Sequence, residues 1–437
     1  MSSIEIGWFA IAALLGLILV GMPIGLGMLI VSFVGVVMIR NEAVAVRMIG
    51  AVANDSLREY LYAIVPLFVL MGLLVTASGV GKDTFDVFER LLRRVRAGLG
   101  VATVFANAVF ASITGVSIAS ATVFSRVAVP EMTRYGYTKR FATGVVAGSS
   151  VLGMLIPPSL LMIVYAVLAE QSVGRMFLAG VGPGLLLSAA FTVTILYLAW
   201  RNPKFVFVGE EAERPERDFG VTELFFKGFP IVSLIVLVLG GLYSGFLNPT
   251  EAGAIGAFGA LVLALSRRSL TPGSFWKILV ETGQITVSVL FLIMAASFFS
   301  RMLAMSGLPN MLAEALLAGP IGPYGFLILF ILLVVILGFL IDSISIMLIL
   351  LPIALPIAIA ADFDLIWFGV MTVIAVEIGL LTPPFGLSVY TIKSAMNDPS
   401  LKVGEIFRGA FPFVITMLVV LVIIGFFPAI ATWLARL

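Results

Sequence analysis

The sequence predicts an all-α protein that crosses a membrane several times. Of its 437 residues, 61% are hydrophobic and only 11% are charged. Its apolar runs repeatedly exceed the roughly 18 to 20 residues with which a helix spans a bilayer. These runs are continuous and rich in Leu, Ile, Val, Ala and Gly, whereas the strands of a membrane β-barrel alternate in polarity over about ten residues. We therefore expect spanning helices.

Composition excludes several functional classes. The chain has no Cys and no His, which excludes the usual zinc sites, thiol chemistry, and haem or iron–sulfur ligation through those residues. The net charge of +2 is spread over loops, and no basic face with interleaved aromatic residues indicates nucleic-acid binding. Residues 1–25 lack a basic leader, so we expect a retained helix there and not a cleaved signal peptide.

The chain is predicted to be a tandem duplication. At one offset of 226 residues, four prolines align with four others, and two glycines and a serine follow the same register. The pairs are Pro23/Pro249, Pro130/Pro356, Pro157/Pro383, Pro158/Pro384, Gly27/Gly253, Ser117/Ser343 and Gly153/Gly379. Random placement would give on the order of half a proline pair at a chosen offset. Residues 201–227 hold eleven of the chain's charged residues and are predicted to be a cytoplasmic linker between a first repeat, 1–200, and a second, 228–437.

The distribution of basic residues predicts that the two repeats lie upside down relative to each other. Residues 82–98 carry five Lys and Arg, whereas their counterparts, 308–324, carry none. Residues 134–140 carry three, whereas 360–366 carry none and two aspartates. Basic loops stay on the cytoplasmic side, so equivalent loops should face opposite sides. Inverted repeats of this kind are common in secondary transporters, whose sites lie at mid-membrane where the repeats meet.

Each repeat is predicted to contain a re-entrant helical hairpin. Residues 98–134 are long enough to cross twice, yet both of their ends are basic, and a polar Thr-Gly-Val-Ser stretch interrupts them at 114–117. Residues 324–360 have non-basic flanks and an Asp-Ser-Ile-Ser stretch at 342–345, so this hairpin would enter from the opposite face and the two tips would point at each other. Two full crossings with a tight turn in each region fit hydropathy equally well; the charge distribution favours hairpins.

Paired prolines predict a broken transmembrane helix in each repeat, over about 141–169 and 366–393. Proline removes a backbone hydrogen bond and clashes with the preceding turn. In hydrocarbon, the freed backbone groups are tolerated only where they are buried in protein or line a polar cavity. At such a break the carbonyl end of one half-helix suits Na⁺, and the N–H end of the next suits a carboxylate.

Polar side chains near the tips and breaks are candidate ligands. The hydroxyl groups nearest to them belong to Thr114, Ser117, Ser159, Ser343, Ser345 and Thr382, although one Ser or Thr in a membrane helix more often serves helix packing. Ionisable residues at membrane depth are functional candidates. Asp342 is a candidate Na⁺ ligand or a helix N-cap, and Arg126 either contacts an anionic substrate or snorkels to the surface. Glu377 can brace its break, and Glu251 can stabilise the first turn of a helix.

Five ordered blocks resemble the large membrane subunit of tripartite ATP-independent periplasmic (TRAP) transporters over essentially the whole chain. The blocks are GVSIASATVFSRVAVPEMTRYGY, LGMLIPPSLLMIVYAV, NPTEAGAIGA, FLIDSISIMLILLPIALPI and IGLLTPPFGLSVYTIK. The resemblance implies Na⁺-driven uptake of an organic acid, commonly a carboxylate, across a bacterial inner membrane. It also implies a periplasmic substrate-binding protein, a separately encoded four-helix membrane subunit and an elevator mechanism.

The resemblance also implies Na⁺ sites at the hairpin tips and breaks. In this sequence they fall on Gly115, Ser117, Gly153, Ile156, Asp342, Ser343, Gly379, Thr382 and Phe385. The candidate substrate contacts are Thr114, Arg126, Ser159 and Ser345. Arg126 departs from the small residue that the family pattern leads us to expect in that hairpin arm.

Three rival functions remain at this stage. A related Na⁺/dicarboxylate carrier would use the same repeats without a binding protein. An intramembrane enzyme would need a constellation of acids, bases or nucleophiles, which scattered carboxylates do not supply, so no enzymatic activity is expected. An assembly scaffold would not need two paired breaks. No P-loop occurs, so ATP is not the expected energy source.

Overall fold

The protein is helical throughout the residues described by its computed structural model, 1–209 and 220–436. Within those residues, extended pairing is limited to a single bridge between Tyr137 and Phe207. The all-α prediction is confirmed. Residues 210–219 of the predicted linker lie outside the described residues, and its last part, from Val221, already belongs to a helix.

The described helices fall into two series. The first series is α1 (Ser3–Leu19), α2 (Ile24–Ile39), α3 (Glu42–Arg58), α4 (Ile64–Ala77), α5 (Val80–Leu91), α6 (Gly98–Thr114), α7 (Ser117–Arg134), α8 (Lys139–Ser150), α9 (Leu152–Leu155), α10 (Leu160–Leu168), α11 (Val173–Arg201) and α12 (Pro203–Val206). The second is α13 (Val221–Ile235), α14 (Gly241–Tyr243), α15 (Pro249–Ser266), α16 (Pro272–Ser306), α17 (Leu308–Leu317), α18 (Gly322–Gly338), α19 (Ser343–Ala360), α20 (Leu365–Leu381), α21 (Leu387–Met396), α22 (Val403–Phe426) and α23 (Ala429–Thr432). A π-helical turn, Val236–Gly240, joins α13 to α14, and 3₁₀ turns occupy Tyr60–Ala63 and Leu434–Arg436.

Several of these helices are long and apolar enough to cross a membrane. Within the described residues seven single helices meet that requirement, and the segment from α8 to α10 adds an eighth span that bends by 42° at its break. The prediction of a multi-pass membrane protein is confirmed.

Local sequence signals explain where these helices begin. Pro249 occupies the first turn of α15, and Asn248 precedes it as the N-cap. The Asn248 side chain accepts from the Glu251 N–H at 2.9 Å, while the Glu251 carboxylate accepts from the Asn248 N–H at 2.9 Å. This capping box satisfies two of the otherwise unpaired N–H groups, which gives Glu251 a structural role at the start of the helix.

The helix bounds follow the 226-residue offset between the two series. Helices α7 and α19 have 18 residues each and begin 226 positions apart. In the same register α2 corresponds to α15, α5 to α17, and α11 to α22, while α3 and α4 together correspond to the single 35-residue α16. The helix bounds therefore follow the same register as the prolines.

Two helix pairs and two broken helices carry the predicted tips and breaks. We define the first pair as α6 and α7, the second pair as α18 and α19, the first break as residues 156–159 and the second break as residues 382–386. The C-terminal half of each broken helix packs against the other series: α10 lies against α19, and α21 lies against α7. The Tyr165 hydroxyl on α10 donates to the Leu365 carbonyl at the start of α20, at 2.6 Å. The two halves are thus joined at the level of the breaks.

Candidate functional site

Residues 114–117, where α6 gives way to α7, form the first tip. This tip lies directly against the first break. Gly115 ends α6 in the left-handed region, with φ +66°, which glycine adopts without steric cost. A Cβ at this position would lie only 2.4 Å from the Pro158 carbonyl oxygen. The Gly115 carbonyl in turn accepts from the Leu160 N–H at 3.2 Å. Glycine is required here because backbone meets backbone.

The first break is buried and is capped from within. Ile156 leaves the helical region with ψ 127°, and the peptide bond between Pro157 and Pro158 is cis. The Ser159 hydroxyl accepts from the Met162 N–H at 3.2 Å, as the N-cap of α10, and donates to the Met154 carbonyl at 2.5 Å. Ser159 is fully buried, so its hydroxyl resolves one donor and one acceptor that the break leaves free.

The remaining candidates of the first half sit around this contact. A Cβ on Gly153 would meet the Ser117 nitrogen and the Val116 carbonyl at 3.0 Å, so the end of α9 touches the start of α7. The Ser117 hydroxyl is buried and has no hydrogen-bond partner among the described residues. The Ile156 side chain points away, towards Gly184 of α11, so only its backbone faces the break. Carbonyl and hydroxyl oxygens of this kind suit a hard cation such as Na⁺.

The second break is more exposed than the first. Thr382 ends α20 and donates its hydroxyl to the Ile378 carbonyl at 2.7 Å. The bond between Pro383 and Pro384 is cis, and the Phe385 side chain is 54% exposed. Matching sequences are therefore set in different surroundings, because Pro157, Pro158 and Ser159 of the first break are buried.

Asp342 begins the second tip, residues 342–345, and acts as the N-cap of α19. One carboxylate oxygen accepts from the N–H groups of Ile344 and Ser345, each at 3.1 Å, and the other accepts from the Ser345 hydroxyl at 2.5 Å. The residue is nevertheless exposed, while Ser343 and Ser345 are buried. The N-cap that the sequence left open as an alternative is present, and the carboxylate still faces outwards, where a cation can reach it.

The second pair contacts the second broken helix through α18. A Cβ on Gly379 would lie 2.7 Å from the Gly338 Cα, so α18 and α20 approach through two glycines. No hydrogen bond in the described chain links Asp342 or Ser343 to Thr382 or Phe385. Sequence reasoning missed Gly338, because the chain contains 43 glycines and no local signal distinguishes one that meets a distant helix.

The candidate substrate contacts are dispersed. Thr114 is buried and donates its hydroxyl to the Phe110 carbonyl at 3.0 Å. Arg126 is exposed and lies about 13 Å from Ser117 along α7, at 1.5 Å per residue. No ion pair of Arg126 occurs in the described part of the chain. Thr114 and Ser159 therefore belong to the contact between the first tip and the first break, and Arg126 lies apart from it.

A buried carboxylate lies next to the first tip. Glu377 on α20 is only 1% exposed, and the Ser117 hydroxyl lies beside its carboxyl group. Neither carboxyl oxygen meets hydrogen-bond geometry with any described group. The sequence identified Glu377 as a possible brace for its own break, but not its position against the tip of the other repeat.

A separate cavity of about 390 Å³ opens between α16 on one side and α10 and α19 on the other. Ser297, Ser300 and Arg301 of α16 line one wall. Arg301 pairs with Asp55 of α3, at 2.9 Å between Nη2 and Oδ2. Helix α16 also packs directly against α19, so the cavity opens beside that contact.

Comparison with known proteins assigns the chain to a family. A family model described as "Tripartite ATP-independent periplasmic transporter, DctM component" matches residues 11–430. The chain is 33% identical to the C4-dicarboxylate TRAP transporter large permease protein DctM of Pseudomonas aeruginosa, over 89% of both chains. It is 31% identical to the sialic acid TRAP transporter large permease protein SiaM of Vibrio cholerae, over 97% of both.

The fold resembles that of a solved transporter structure. The YdaH transporter of Alcanivorax borkumensis, described as having an unusual topology, matches 83% of this chain and 85% of its own with a TM-score of 0.58 at 16% sequence identity. That likeness concerns the fold alone. The curated relatives are permeases and not enzymes, as expected from the sequence. The resemblance to the large membrane subunit is confirmed: the chain belongs to the DctM component family of tripartite ATP-independent periplasmic transporters.

Proposed function

We propose that this chain is the large membrane subunit of a Na⁺-coupled transporter that imports an organic acid across a bacterial inner membrane. Family membership supports a permease of a tripartite system. The observation that supports the coupling is the contact between the first tip and the first break. Gly115 and Gly153 allow backbone carbonyl oxygens to approach closely there, and the buried Ser117 hydroxyl lies at the same contact.

An organic acid is supported by the helix ends at the breaks and by the relatives. Two half-helices, α10 and α21, begin at the breaks with N–H groups that carry partial positive charge. Helix N-termini at mid-membrane bind carboxylates in discontinuous-helix transporters. The relatives named above carry C4-dicarboxylates and sialic acid, all of which present a carboxylate. We propose that Thr114, Ser159 and Ser345 lie near the bound acid and that Arg126 guides it from the surface.

Sodium coupling supplies the driving force. We propose that the ions bind at the oxygens of Gly115, Ser117, Gly153 and Ile156 in the first half. The second-half ligands in this proposal are Asp342, Ser343, Gly379, Thr382 and Phe385. Each net positive charge imported gains about 2.3 kcal/mol per 100 mV of inside-negative potential. Na⁺ in excess over the charge of the acid therefore pulls the acid inwards.

We propose that the two repeats have inverted topology and move as an elevator. The matching helix bounds and the opposed loop charges support inversion. The cavity beside the contact between α16 and α19 supports relative sliding, because an interface that contains a cavity of this size is not close-packed along its whole length. In this proposal α16 belongs to the static scaffold, and the helix pairs and broken helices move.

The partners follow from the word tripartite in the family description. We propose a periplasmic substrate-binding protein that delivers the acid, and a small four-helix membrane subunit that completes the scaffold.

Reconstitution tests this function. The chain and its small subunit are placed in proteoliposomes with the cognate binding protein, loaded with the acid that stabilises that protein best in a thermal-shift panel. Uptake is expected only with an inward Na⁺ gradient and only with the binding protein present. Uptake that continues without Na⁺ refutes the coupling, and uptake without the binding protein indicates the autonomous dicarboxylate carrier instead.

A further inference from the structure

The strongest unexplained feature of the interior is the Glu377 carboxyl group. Moving a carboxylate out of water carries a large free-energy penalty unless hydrogen bonds or an opposite charge compensate for it. Glu377 is 1% exposed, yet neither of its oxygens meets hydrogen-bond geometry with a described group, the neighbouring Ser117 hydroxyl included, and no ion pair to it occurs among the described residues. A buried polar group without a partner in a native fold calls for an unseen ligand, water or ion.

Another unpartnered oxygen lies next to this carboxyl group, and a third lies on a neighbouring helix. The Ser117 hydroxyl lies beside the Glu377 carboxyl and is itself buried without a partner. Helix α21, which carries the unpartnered hydroxyl of Ser388 in its first turn, packs against α7, the helix that Ser117 begins. Helix α20 also packs against α9, whose Gly153 touches the Ser117 nitrogen. The Ser117 hydroxyl therefore lies beside the buried Glu377 carboxyl group at a point where α9 packs against both α7 and α20.

We propose that Glu377 is a direct carboxylate ligand of one Na⁺ ion, in a site that also uses the Ser117 hydroxyl and joins the two repeats. This inference rests on the proposed Na⁺ coupling and identifies a residue that the resemblance did not. One carboxylate with hydroxyl and carbonyl oxygens suits a hard monovalent ion. No cluster of three His, Cys, Asp or Glu side chains exists in the described chain, which argues against a divalent or transition metal here.

The site is asymmetric with respect to the duplication. At the 226-residue offset the counterpart of Glu377 is Val151, so the first repeat has no equivalent carboxylate. Duplication of a half-site cannot produce this ligand. The first-half Na⁺ site therefore gains from α20 a carboxylate that the second-half site cannot gain in the same way, and it is complete only when the first tip and α20 are together.

Linkage between Na⁺ concentration and stability tests the inference without a transport assay. A ligand that binds only the folded state raises the free energy of unfolding as its concentration rises. Above the dissociation constant, the slope of that free energy against the logarithm of the ligand concentration reports the number of bound ions. The thermal unfolding midpoint of the purified complex is measured against NaCl at constant ionic strength, with choline chloride as the balancing salt. Glu377→Gln keeps the shape of the side chain and removes its charge. We expect a shallower slope, with the rise in the midpoint beginning at an Na⁺ concentration at least about tenfold higher, the scale of a lost metal-site interaction.

Two further variants separate a ligand from a structural role. Glu251→Gln weakens an exposed capping box and should lower the midpoint at every Na⁺ concentration without changing the slope. If Glu377→Gln does not fold, Glu377→Asp retains the charge one methylene further back, and it should keep the slope while the rise in the midpoint begins at a higher Na⁺ concentration. A wild-type slope in Glu377→Gln, or a rise that begins at the wild-type Na⁺ concentration in Glu377→Asp, overturns the assignment.

The outcomes distinguish this inference from the proposed function. A wild-type protein that shows no Na⁺-dependent stabilisation contradicts the coupling itself, and with it this site. A wild-type protein that is stabilised by Na⁺ equally with and without the Glu377 carboxylate contradicts only the site. Stabilisation of the wild type by acid in place of Na⁺, lost in Glu377→Gln, identifies a proton as the occupant and overturns the Na⁺ assignment.

Discussion

Gly115→Ala should disrupt the contact between the first tip and the first break. The new methyl group would lie 2.4 Å from the Pro158 carbonyl oxygen, on a backbone held at φ +66°. The left-handed conformation costs an L-residue about 1–2 kcal/mol, and overpacking a filled interior costs about 1–3 kcal/mol. Displacing the tip also weakens the Leu160 N–H bond to the Gly115 carbonyl, which is worth about 1 kcal/mol. We expect a loss of about 3–6 kcal/mol in the free energy of unfolding.

Gly79→Ala is the matched control for this substitution. Gly79 has a similar φ of +77°, but a Cβ there meets nothing within 4 Å, so it should lose only the conformational cost of about 1 kcal/mol. Unfolding of both variants is measured in mixed detergent and SDS micelles, with Na⁺-dependent uptake as a second readout. If Gly115→Ala is no less stable than Gly79→Ala, the tip does not touch the break and the geometry proposed for the ion site is wrong.

Three further expectations concern other parts of the fold. Gly409→Ala should lower the free energy of unfolding by about 2 kcal/mol or more, because its Cβ would overlap a carbonyl oxygen of α8. Gly404→Ala on the same helix is the control, since its Cβ meets nothing within 4 Å and the change should be neutral. Equal losses in the two variants would refute close packing of α8 and α22. Ser159→Ala should cost about 1–2 kcal/mol in unfolding titrations, since it removes a buried N-cap; an unchanged midpoint would contradict that role. The hydrogen bond from Lys139, and then those from Ser400, hold the pKa of Asp398 below its ordinary value of 3.8. The stability that the ionised Asp398 contributes is present above its ordinary pKa and is lost as pH falls through the lowered pKa of the folded state. The unfolding midpoint of the wild type should therefore drop on acidification below about pH 4, and that of Asp398→Asn should drop less.

The sequence predicted the helical class and the positions of the breaks because both depend on local signals. Long apolar runs specify spanning helices, and adjacent prolines remove hydrogen bonds wherever they occur. The capping role of Glu251 was also accessible, because a capping box is a pattern of four residues. These features need no knowledge of which helices meet.

Contacts between distant segments were not accessible from the sequence. Glu377 meets Ser117 across most of the chain, and Gly338 meets Gly379 across two helices, so no periodicity signals either contact. Two nearly identical Pro-Pro stretches also differ in burial, because exposure is set by the neighbouring helices and not by the stretch itself. The side chain of Asp342 illustrates the same limit, since one sequence fits both an N-cap and an ion ligand.

The most direct test of the account is the simultaneous influx of radioactive sodium and radiolabelled acid into proteoliposomes that contain the complex and its binding protein. Our account predicts that each influx requires the other, and that Gly115→Ala depresses both together while Gly79→Ala leaves both near the wild-type rate. Acid influx with no accompanying sodium, at any membrane potential, would contradict it.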